Sequence, residues 1–146
     1  MDHKKSITAL QKEKTRLKRA ILSITARLSM MERADFLQRK RQEDRRKFLV
    51  GLYFHEDFLK RGQEKEMRDL MNRWLTEDRD RVIWGLTLFG ENRKFSHDPA
   101  RFENRKRYHL GSYFLEKYRN EKRLSDLAIL LRNYLNHPLD KRLFIP

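Results

Sequence analysis

The sequence contains no cysteine, which excludes disulfide bonds, thiolate metal sites and a cysteine nucleophile. It is also short of chain breakers, with five glycines and three prolines in 146 residues. No apolar run approaches the ~18–20 residues that a membrane-spanning helix needs, and the first residues lack the apolar segment of a secretory signal. These absences predict an all-α protein with no membrane span, and they are compatible with a reducing cytoplasm.

Catalytic signatures are missing as well. The five histidines are scattered, and none has the spacing of a metal-binding helix. The chain has neither a GxxxxGK[ST] loop nor a GxGxxG loop. The acids Glu43, Asp44, Asp78 and Asp80 could be imagined as a nuclease metal site, but each has an arginine close in sequence, which favours salt bridges. We therefore predict a non-enzymatic protein with no catalytic residue, no metal site and no cofactor.

Positive charge is what the chain has in excess. Its 35 Lys and Arg residues against 21 Asp and Glu residues give a net charge of +14. Such an excess predicts a polyanionic partner, which means DNA, RNA or an anionic membrane. No segment pairs a broad apolar face with a basic one in the way that membrane-surface helices do. Nucleic acid is therefore the favoured partner.

The first segment has the heptad pattern of a coiled-coil helix. Apolar residues recur at alternating spacings of three and four, and Lys14 occupies the one missing position. This heptad seam consists of Ile7, Leu10, Leu17, Ile21, Ile24, Leu28 and Met31. So narrow an apolar stripe must pair with another helix. We consider equally a homodimer through Ile7–Met31, in which Lys14 would set the register, and a helix that packs on its own domain.

Two basic clusters, defined as residues 45–47 and 105–107, are the strongest candidates for phosphate contact. Each stands just before a run of apolar and aromatic residues. Arginine and lysine neutralise the phosphate backbone and release counterions. The stretch from Gln38 to Lys47 has no apolar side chain, so a helix there must cross solvent or face a charged partner. The predicted DNA-binding residues are Arg39, Lys40, Arg41, Arg45, Arg46, Lys47, Arg105, Lys106 and Arg107.

An internal repeat underlies the second cluster. Residues 45–86 align without a gap with residues 105–146, and eight of the 42 positions are identical. We predict a long N-terminal, coiled-coil-like helix that continues to about Leu59, followed by two repeated helical hairpin units related by pseudo-twofold symmetry. The predicted domains are a heptad helix at 1–38, a first basic unit at 39–86, a linker at 87–104 and a second unit at 105–146.

Each unit ends in a short closing block. Thr76 and Asn136 are predicted helix N-caps, as is Asp98 before Pro99. Trp84 and Phe144 should fill apolar grooves, while Asp80 and Asp140 should pair with nearby cations. We expect Asp80 in particular to brace Arg45 or Arg46. The aromatic residues Tyr53, Phe54, Tyr113 and Phe114 are predicted to pack in the core rather than to stack on bases. Gly51 and Gly111 are predicted to allow close helix contact rather than a backbone approach to phosphate.

Two segments carry a family resemblance. Arg39–Glu56, RKRQEDRRKFLVGLYFHE, resembles the basic and LVG block of the plasmid mobilisation protein MobC family. Met71–Leu86, MNRWLTEDRDRVIWGL, is similar to that family's closing block, an aromatic-Leu pair followed by DRDR-A-L-F-G-L. The resemblance covers roughly residues 5–86. It implies a DNA-binding accessory protein of the relaxosome that binds the transfer origin beside a relaxase and helps to open the duplex, while the relaxase cuts.

Carried over by position, the family's basic block falls on residues 39–41 and 45–47, and its closing block falls on residues 78–81 and 84–86. The chain departs from the family pattern because it continues into a second unit, and a tandem pair could replace the two units of a dimer. Two other functions remain open, namely a coiled-coil adaptor that mainly docks a relaxase or coupling protein, and a general nucleic-acid-binding protein.

Overall fold

The computed structural model describes the backbone of residues 2–90 and 98–144, with side chains from residue 6 onward. These residues form helices and turns and contain no strand, so the predicted all-α class is confirmed. The α-helices are α1 (Asp2–Lys60), α2 (Glu64–Trp74), α3 (Asp78–Ile83), α4 (Phe102–Asn120), α5 (Leu124–Tyr134) and α6 (Pro138–Arg142), and a 3₁₀ turn spans Pro99–Arg101.

The 59-residue helix α1 contributes to both compact units of the chain. The N-terminal unit is Met1–Arg41 and the core unit is Gln42–Pro146. The unit boundary therefore lies three residues after the predicted end of the heptad helix. Residues that we assigned to two units and a linker fall in one core unit, in which α4 already begins at Phe102.

Within the N-terminal unit, every described side chain from residue 6 to residue 41 is exposed. The residues of the heptad seam are between 51% and 68% exposed. Within the N-terminal unit no described residue covers the seam, and the choice between a homodimer and a helix that packs on its own domain stays a prediction.

In the core unit, α1 and α4 cross at two glycines. A Cβ atom on Gly51 would lie 1.5 Å from the carbonyl oxygen of Arg107, and one on Gly111 would lie 1.5 Å from that of Lys47. Only glycine permits this backbone-to-backbone approach. The prediction that both glycines serve close helix contact is confirmed.

Two apolar clusters flank the crossing. The first places Leu49 and Val50 of α1 among residues of α4, of α5 with its C-cap and of the turn after α6, which are Leu115, Leu127, Ala128, Leu131, Leu135 and Phe144. The second places Leu110 of α4 among residues of α2, α3 and the turn that follows it, which are Met67, Met71, Leu75, Ile83 and Trp84. The segment α2–α3 thus packs against α4, and the segment α5–α6 packs against α1.

Aromatic rings fill the space between the clusters. The rings of Phe54 and Phe114 stack with centroids 3.8 Å apart and planes at 11°. Tyr53 meets Tyr134 edge-on at 5.2 Å, and Tyr113 meets Trp74 edge-on at 5.7 Å. The predicted core role of these aromatic residues is confirmed.

The helix ends agree with the sequence at some points and correct it at others. Helix α1 ends at Lys60 before Gly62, whose φ is +65°, and the Asp98 side chain accepts a hydrogen bond from the Ala100 amide at 3.0 Å, both as expected. The N-caps Thr76 and Asn136 are wrong by one residue, because the N-caps are Glu77 and His137. Helical backbone begins at Asp78 after extended Glu77, and Pro138 is preorganised for the first helical position.

Candidate nucleic-acid interface

The first basic cluster, residues 45–47, is held by contacts inside the core unit. Arg45 donates to both carboxylate oxygens of Asp140, at 3.1 Å and 3.0 Å. Arg46 Nε donates to the carbonyl oxygen of Leu143 at 2.9 Å, and Lys47 Nζ lies 3.5 Å from the hydroxyl of Tyr108. These three cations tie α1 to α4 and to α6 with its following turn.

The second basic cluster, residues 105–107, is engaged in a similar way. Lys106 Nζ lies 5.5 Å from the centroid of the Trp84 ring and 3.5 Å from a carboxylate oxygen of Glu103. Arg107 is half-buried beside the helix crossing, where its Nε has no hydrogen-bond partner. Arg105 is exposed. The three cations of the first cluster and Lys106 of the second are therefore engaged within the fold.

An ion pair that the sequence analysis missed joins α1 to α4. Nη1 and Nη2 of Arg119 donate to the two carboxylate oxygens of Glu43, at 2.6 Å and 2.9 Å. This bidentate hydrogen bonding from Arg119, supported by Arg46, lowers the pKa of Glu43 below its usual value. Residues 42–47 are therefore partly buried except for exposed Arg45, whereas all four of residues 38–41 are exposed. Nothing in the local sequence pairs positions 43 and 119.

The closing blocks exchange partners between the two halves. Asp80 lies 3.3 Å from Nε2 of His109, whereas Arg45 is bound by Asp140. The hypothesis that Asp80 braces Arg45 or Arg46 is therefore wrong, because α3 packs on α4 and Asp140 is the residue that reaches α1. Trp84 and Phe144 are buried at 6% and 7% exposure, as the sequence predicted.

His109 is the centre of a buried hydrogen-bond chain. Trp84 Nε1 donates to His109 Nδ1 at 3.0 Å. Because an indole N–H can only donate, Nδ1 must be the unprotonated nitrogen, and the ring proton on Nε2 then faces Asp80. Removal from water lowers the pKa of His109, although the Asp80 carboxylate opposes this shift. Protonation at Nδ1 would set two donors against each other and break the contact with Trp84.

This arrangement predicts that acid weakens the core unit. An unfolded histidine binds a proton near its usual pKa of about 6.5, whereas folded His109 does so only at lower pH. The contribution of neutral His109 to the free energy of unfolding should therefore be complete above about pH 6.5 and decrease as the pH drops below that value. One such group contributes a slope of at most about 1.4 kcal/mol per pH unit.

Urea denaturation between pH 5 and pH 7.5 measures this effect. His109→Gln keeps one donor and one acceptor without titrating, so its stability should fall less over this range than that of the wild-type protein. His55, whose pKa is also lowered by burial, provides a matched variant, His55→Gln, that removes only its own part of the slope. Equal slopes for the wild-type protein and His109→Gln would contradict the role of His109.

The acids that were considered as a nuclease metal site, and for which salt bridges were favoured, have other partners. Asp78 accepts hydrogen bonds from the amides of Phe89 at 2.7 Å and Gly90 at 2.9 Å, while Glu43 and Asp80 are bound as described above. Within residues 2–90 and 98–144, no group of three or more His, Asp or Glu side chains is placed to hold a metal ion. None of the helices in these ranges has the length and apolarity that a bilayer crossing requires.

The N-terminal unit carries more than half of the chain's net positive charge. It has 12 Lys and Arg residues and 4 Asp and Glu residues, so its net charge is +8 out of the chain's +14. Of the predicted DNA-binding residues, Arg39, Lys40 and Arg41 lie here and are exposed. Arg39 forms an exposed ion pair with Asp35 at 2.6 Å, which is weak in water.

Four of these cations line one face of α1. Every seventh residue from position 12 to position 40 is a cation, except at position 26, which is Ala26. The four cations are Lys12, Arg19, Arg33 and Lys40. We call these four residues the cation stripe. Among the described residues no carboxylate lies within 4 Å of them. Seven residues are close to two helical turns, so the stripe lies on one side of the helix, opposite the heptad seam. The seven-residue spacing of these cations is visible in the sequence, but the predicted DNA-binding residues were chosen from dense clusters of cations and include only Lys40 of the four.

Comparisons with protein-family models, with curated proteins and with solved structures found no match to this chain. The resemblance of residues 39–56 and 71–86 to the MobC family therefore stays a prediction from sequence.

Proposed function

We propose that this chain is a non-enzymatic DNA-binding protein that contacts phosphates through the cation stripe and the adjoining Arg39 and Arg41. The observation that carries this proposal is the contrast between two sets of cations. Those of the basic clusters mostly have partners inside the core unit, whereas those of the stripe are exposed and have no carboxylate partner among the described residues. Unpaired cations on a rigid helix can exchange their counterions for phosphates.

The geometry of the stripe suits a polyanion. Positions seven residues apart in the stripe are separated by about 10.5 Å along the helix, and Lys12 lies about 42 Å from Lys40. A duplex of that length has about 12 base pairs at 3.4 Å per step. Side chains on a helix face give register and orientation on the backbone without reading sequence. Sequence preference would then come from other residues or from DNA deformability.

For the core unit we propose two copies of one helical unit that exchange their closing blocks across a pseudo-twofold axis at the Gly51–Gly111 crossing. Reciprocal contacts between positions sixty residues apart support this. Gly51 faces Arg107 as Gly111 faces Lys47, and Tyr53 meets Tyr134 as Tyr113 meets Trp74. Such a unit anchors the end of α1 rigidly.

The MobC resemblance gives this DNA binding its proposed setting. The protein would act in the cytoplasm as a relaxosome accessory that binds transfer-origin DNA beside a relaxase during the mobilisation of a plasmid or integrative element. Contacts spread along the backbone would hold the duplex in a bent or locally weakened form. Footprinting on the DNA around the chain's own gene, with a single-strand-sensitive probe, tests this setting.

Neutralising the cation stripe tests the DNA-binding proposal itself. In the full-length protein, Lys12, Arg19, Arg33 and Lys40 are all changed to Gln, and binding to a labelled 24-base-pair duplex is measured by anisotropy from 50 to 200 mM salt. We expect affinity at 100 mM salt to fall on the order of 100-fold, because each cation that no longer neutralises a phosphate removes the release of about one counterion. The salt slope should decrease by about one for each phosphate that the variant leaves unneutralised.

A matched control removes the same charge elsewhere. Lys60, Lys65, Arg73 and Lys117 are exposed residues of the core unit, and their change to Gln also lowers the net charge from +14 to +10. This control should keep most of the affinity and the salt slope. Equal losses in both variants would reduce the interaction to net charge, and wild-type binding by the stripe variant would overturn the proposal.

A second candidate function is a coiled-coil adaptor that mainly docks a relaxase or coupling protein. The observation that favours it is the uncovered heptad seam. This candidate predicts that the stripe variant binds DNA as the wild-type protein does, so the same titration separates the two functions.

A further inference from the structure

The heptad seam is an apolar surface that no described residue covers. Its side chains are more than half exposed over four heptads of a single helix, and a helix of this kind gains its stability from the partner that buries its apolar face. We propose that the partner is a second copy of this chain, which forms a parallel, in-register, two-stranded coiled coil over Ile7–Met31. This inference goes beyond DNA binding, and its test measures mass and cross-links rather than DNA.

The residue types along the seam favour two parallel strands. In the heptad notation, Ile7, Lys14, Ile21 and Leu28 occupy position a, and Leu10, Leu17, Ile24 and Met31 occupy position d. β-Branched residues at a combined with leucine at d are typical of parallel dimers. Four positions, Ile7, Leu10, Leu17 and Ile21, follow this rule, whereas Ile24 at d and Leu28 at a depart from it. The preference therefore rests on the first half of the seam.

Lys14 sets the number of strands and their register. A lysine at one a position lowers stability but specifies which heptads face each other. In a two-stranded coil its ammonium group reaches water along the edge of the interface. A coil of three or more strands encloses the a position more fully, so the same lysine disfavours those assemblies.

Charges beside the seam select the parallel orientation. In a parallel dimer, position g of one helix faces position e of the next heptad in the other helix. Glu13 then faces Lys18 of the second copy, and Arg27 faces Glu32, so both kinds of pair attract. In an antiparallel pair with the same seam matched, Glu13 would face Arg27, but position 18 would face position 18, which places two lysines together. The parallel pair therefore has more attractive contacts and no repulsive one at these flanking positions.

The contacts of the single chain leave these charges available. Glu13 binds Arg16 of its own helix at 2.6 Å, with side chains 51% and 73% exposed. Exposed pairs of this kind contribute little, so Glu13 can reach across to Lys18 of a second copy. The cation stripe lies opposite the seam and stays exposed on both helices. A parallel coil therefore doubles the stripe and brings the two Arg39–Arg41 segments to the same end.

A charge-swap series in the full-length protein tests orientation and register. Glu13→Lys and Lys18→Glu each turn two attractive pairs into repulsive ones, so each should raise the dimer dissociation constant about tenfold in sedimentation equilibrium. The double variant restores both pairs in a parallel dimer and should return to within about threefold of wild type. The ion pair between Glu13 and Arg16 is not restored in the double variant, so recovery cannot come from within one helix.

Cysteine cross-linking gives a second, independent measurement, because every introduced thiol is unique in a chain without cysteine. In a glutathione buffer, Leu10→Cys and Leu28→Cys should each form disulfide-linked dimers, and a mixture of the two should form no mixed product. Arg19→Cys, on the outer face of the same helix, is the matched control and should stay unlinked.

Three results would overturn the proposal. A wild-type mass of one chain at tens of micromolar would show that the seam takes a different partner, such as a helix of another protein. A mixed Leu10→Cys and Leu28→Cys product without self-linked products would show an antiparallel pair. Equal cross-linking of all three cysteine variants would show association without a defined seam. None of these results bears on the DNA titration.

Discussion

Changing either Gly51 or Gly111 to Ala should lower the free energy of unfolding of the core unit by more than about 4 kcal/mol. The sign of this change is the test, because Ala in place of Gly within a helix ordinarily stabilises it by about 1 kcal/mol. Here the added methyl group would lie 1.5 Å from a backbone carbonyl oxygen of the crossing helix. The helices must separate to admit it, and both apolar clusters depend on the crossing.

Urea denaturation followed by tryptophan fluorescence measures this loss, because Trp74 and Trp84 both lie in the core unit. Gly62→Ala is the matched control. A methyl group there meets nothing within 4 Å, but the residue has a φ of +65°, so a loss of only about 1 kcal/mol is expected. If Gly51→Ala or Gly111→Ala were as stable as wild type, the close crossing of α1 and α4 would be wrong.

The second large effect is expected at Arg81, which is 2% exposed. Its guanidinium group donates to the carbonyl oxygens of Asn72 and Leu75 at 2.9 Å each and of Thr87 at 2.7 Å, and also to the Asn72 side chain. Asn72 and Leu75 lie in the last turn and at the C-cap of α2. The arginine therefore satisfies carbonyl groups that the end of a helix leaves without partners, at the negative end of the helix dipole.

Arg81→Met should lower the free energy of unfolding by about 3 to 5 kcal/mol, since one buried and two partly buried hydrogen bonds to carbonyl groups lose their charged donor at once. Lys141→Met is the matched control. Lys141 stands sixty positions later and is exposed, so the same loss of charge should cost less than about 0.5 kcal/mol. Similar stability of the two variants would contradict the structural role of Arg81, and the same fluorescence experiment measures both.

Local signals along the chain predicted helices well and partners poorly. The end of α1 near Gly62, the capping of Asp98 and the packing of the repeated glycines follow from short-range stereochemistry. By contrast, nothing near Asp80 in the sequence indicates that His109 would meet it, or that Arg45 would be bound by Asp140. Asp80 and Asp140 stand at aligned positions of the sequence, so the local sequence does not distinguish their partners. Only the tertiary structure places Asp80 against α4 and Asp140 against α1.

The same limit applies to the candidate interface. The sequence showed where cations cluster, and residues 45–47 and 105–107 were the densest groups. The tertiary structure engages most of them because α1 and α4 cross between these positions, where carboxylates, carbonyl groups and rings of the opposite half compete for the same charges. Whether a cation can bind phosphate depends on those neighbours in space and not on how densely cations are clustered along the sequence.

The sequence by itself determined the all-α class, the heptad seam, the excess of positive charge and the residues that face the core, since each depends on composition or on a helical period. Only the tertiary structure decided which cations stay accessible and which acid meets which base. Those choices arise from contacts between residues that lie 25 to 97 positions apart, and they follow from the single close approach at Gly51 and Gly111.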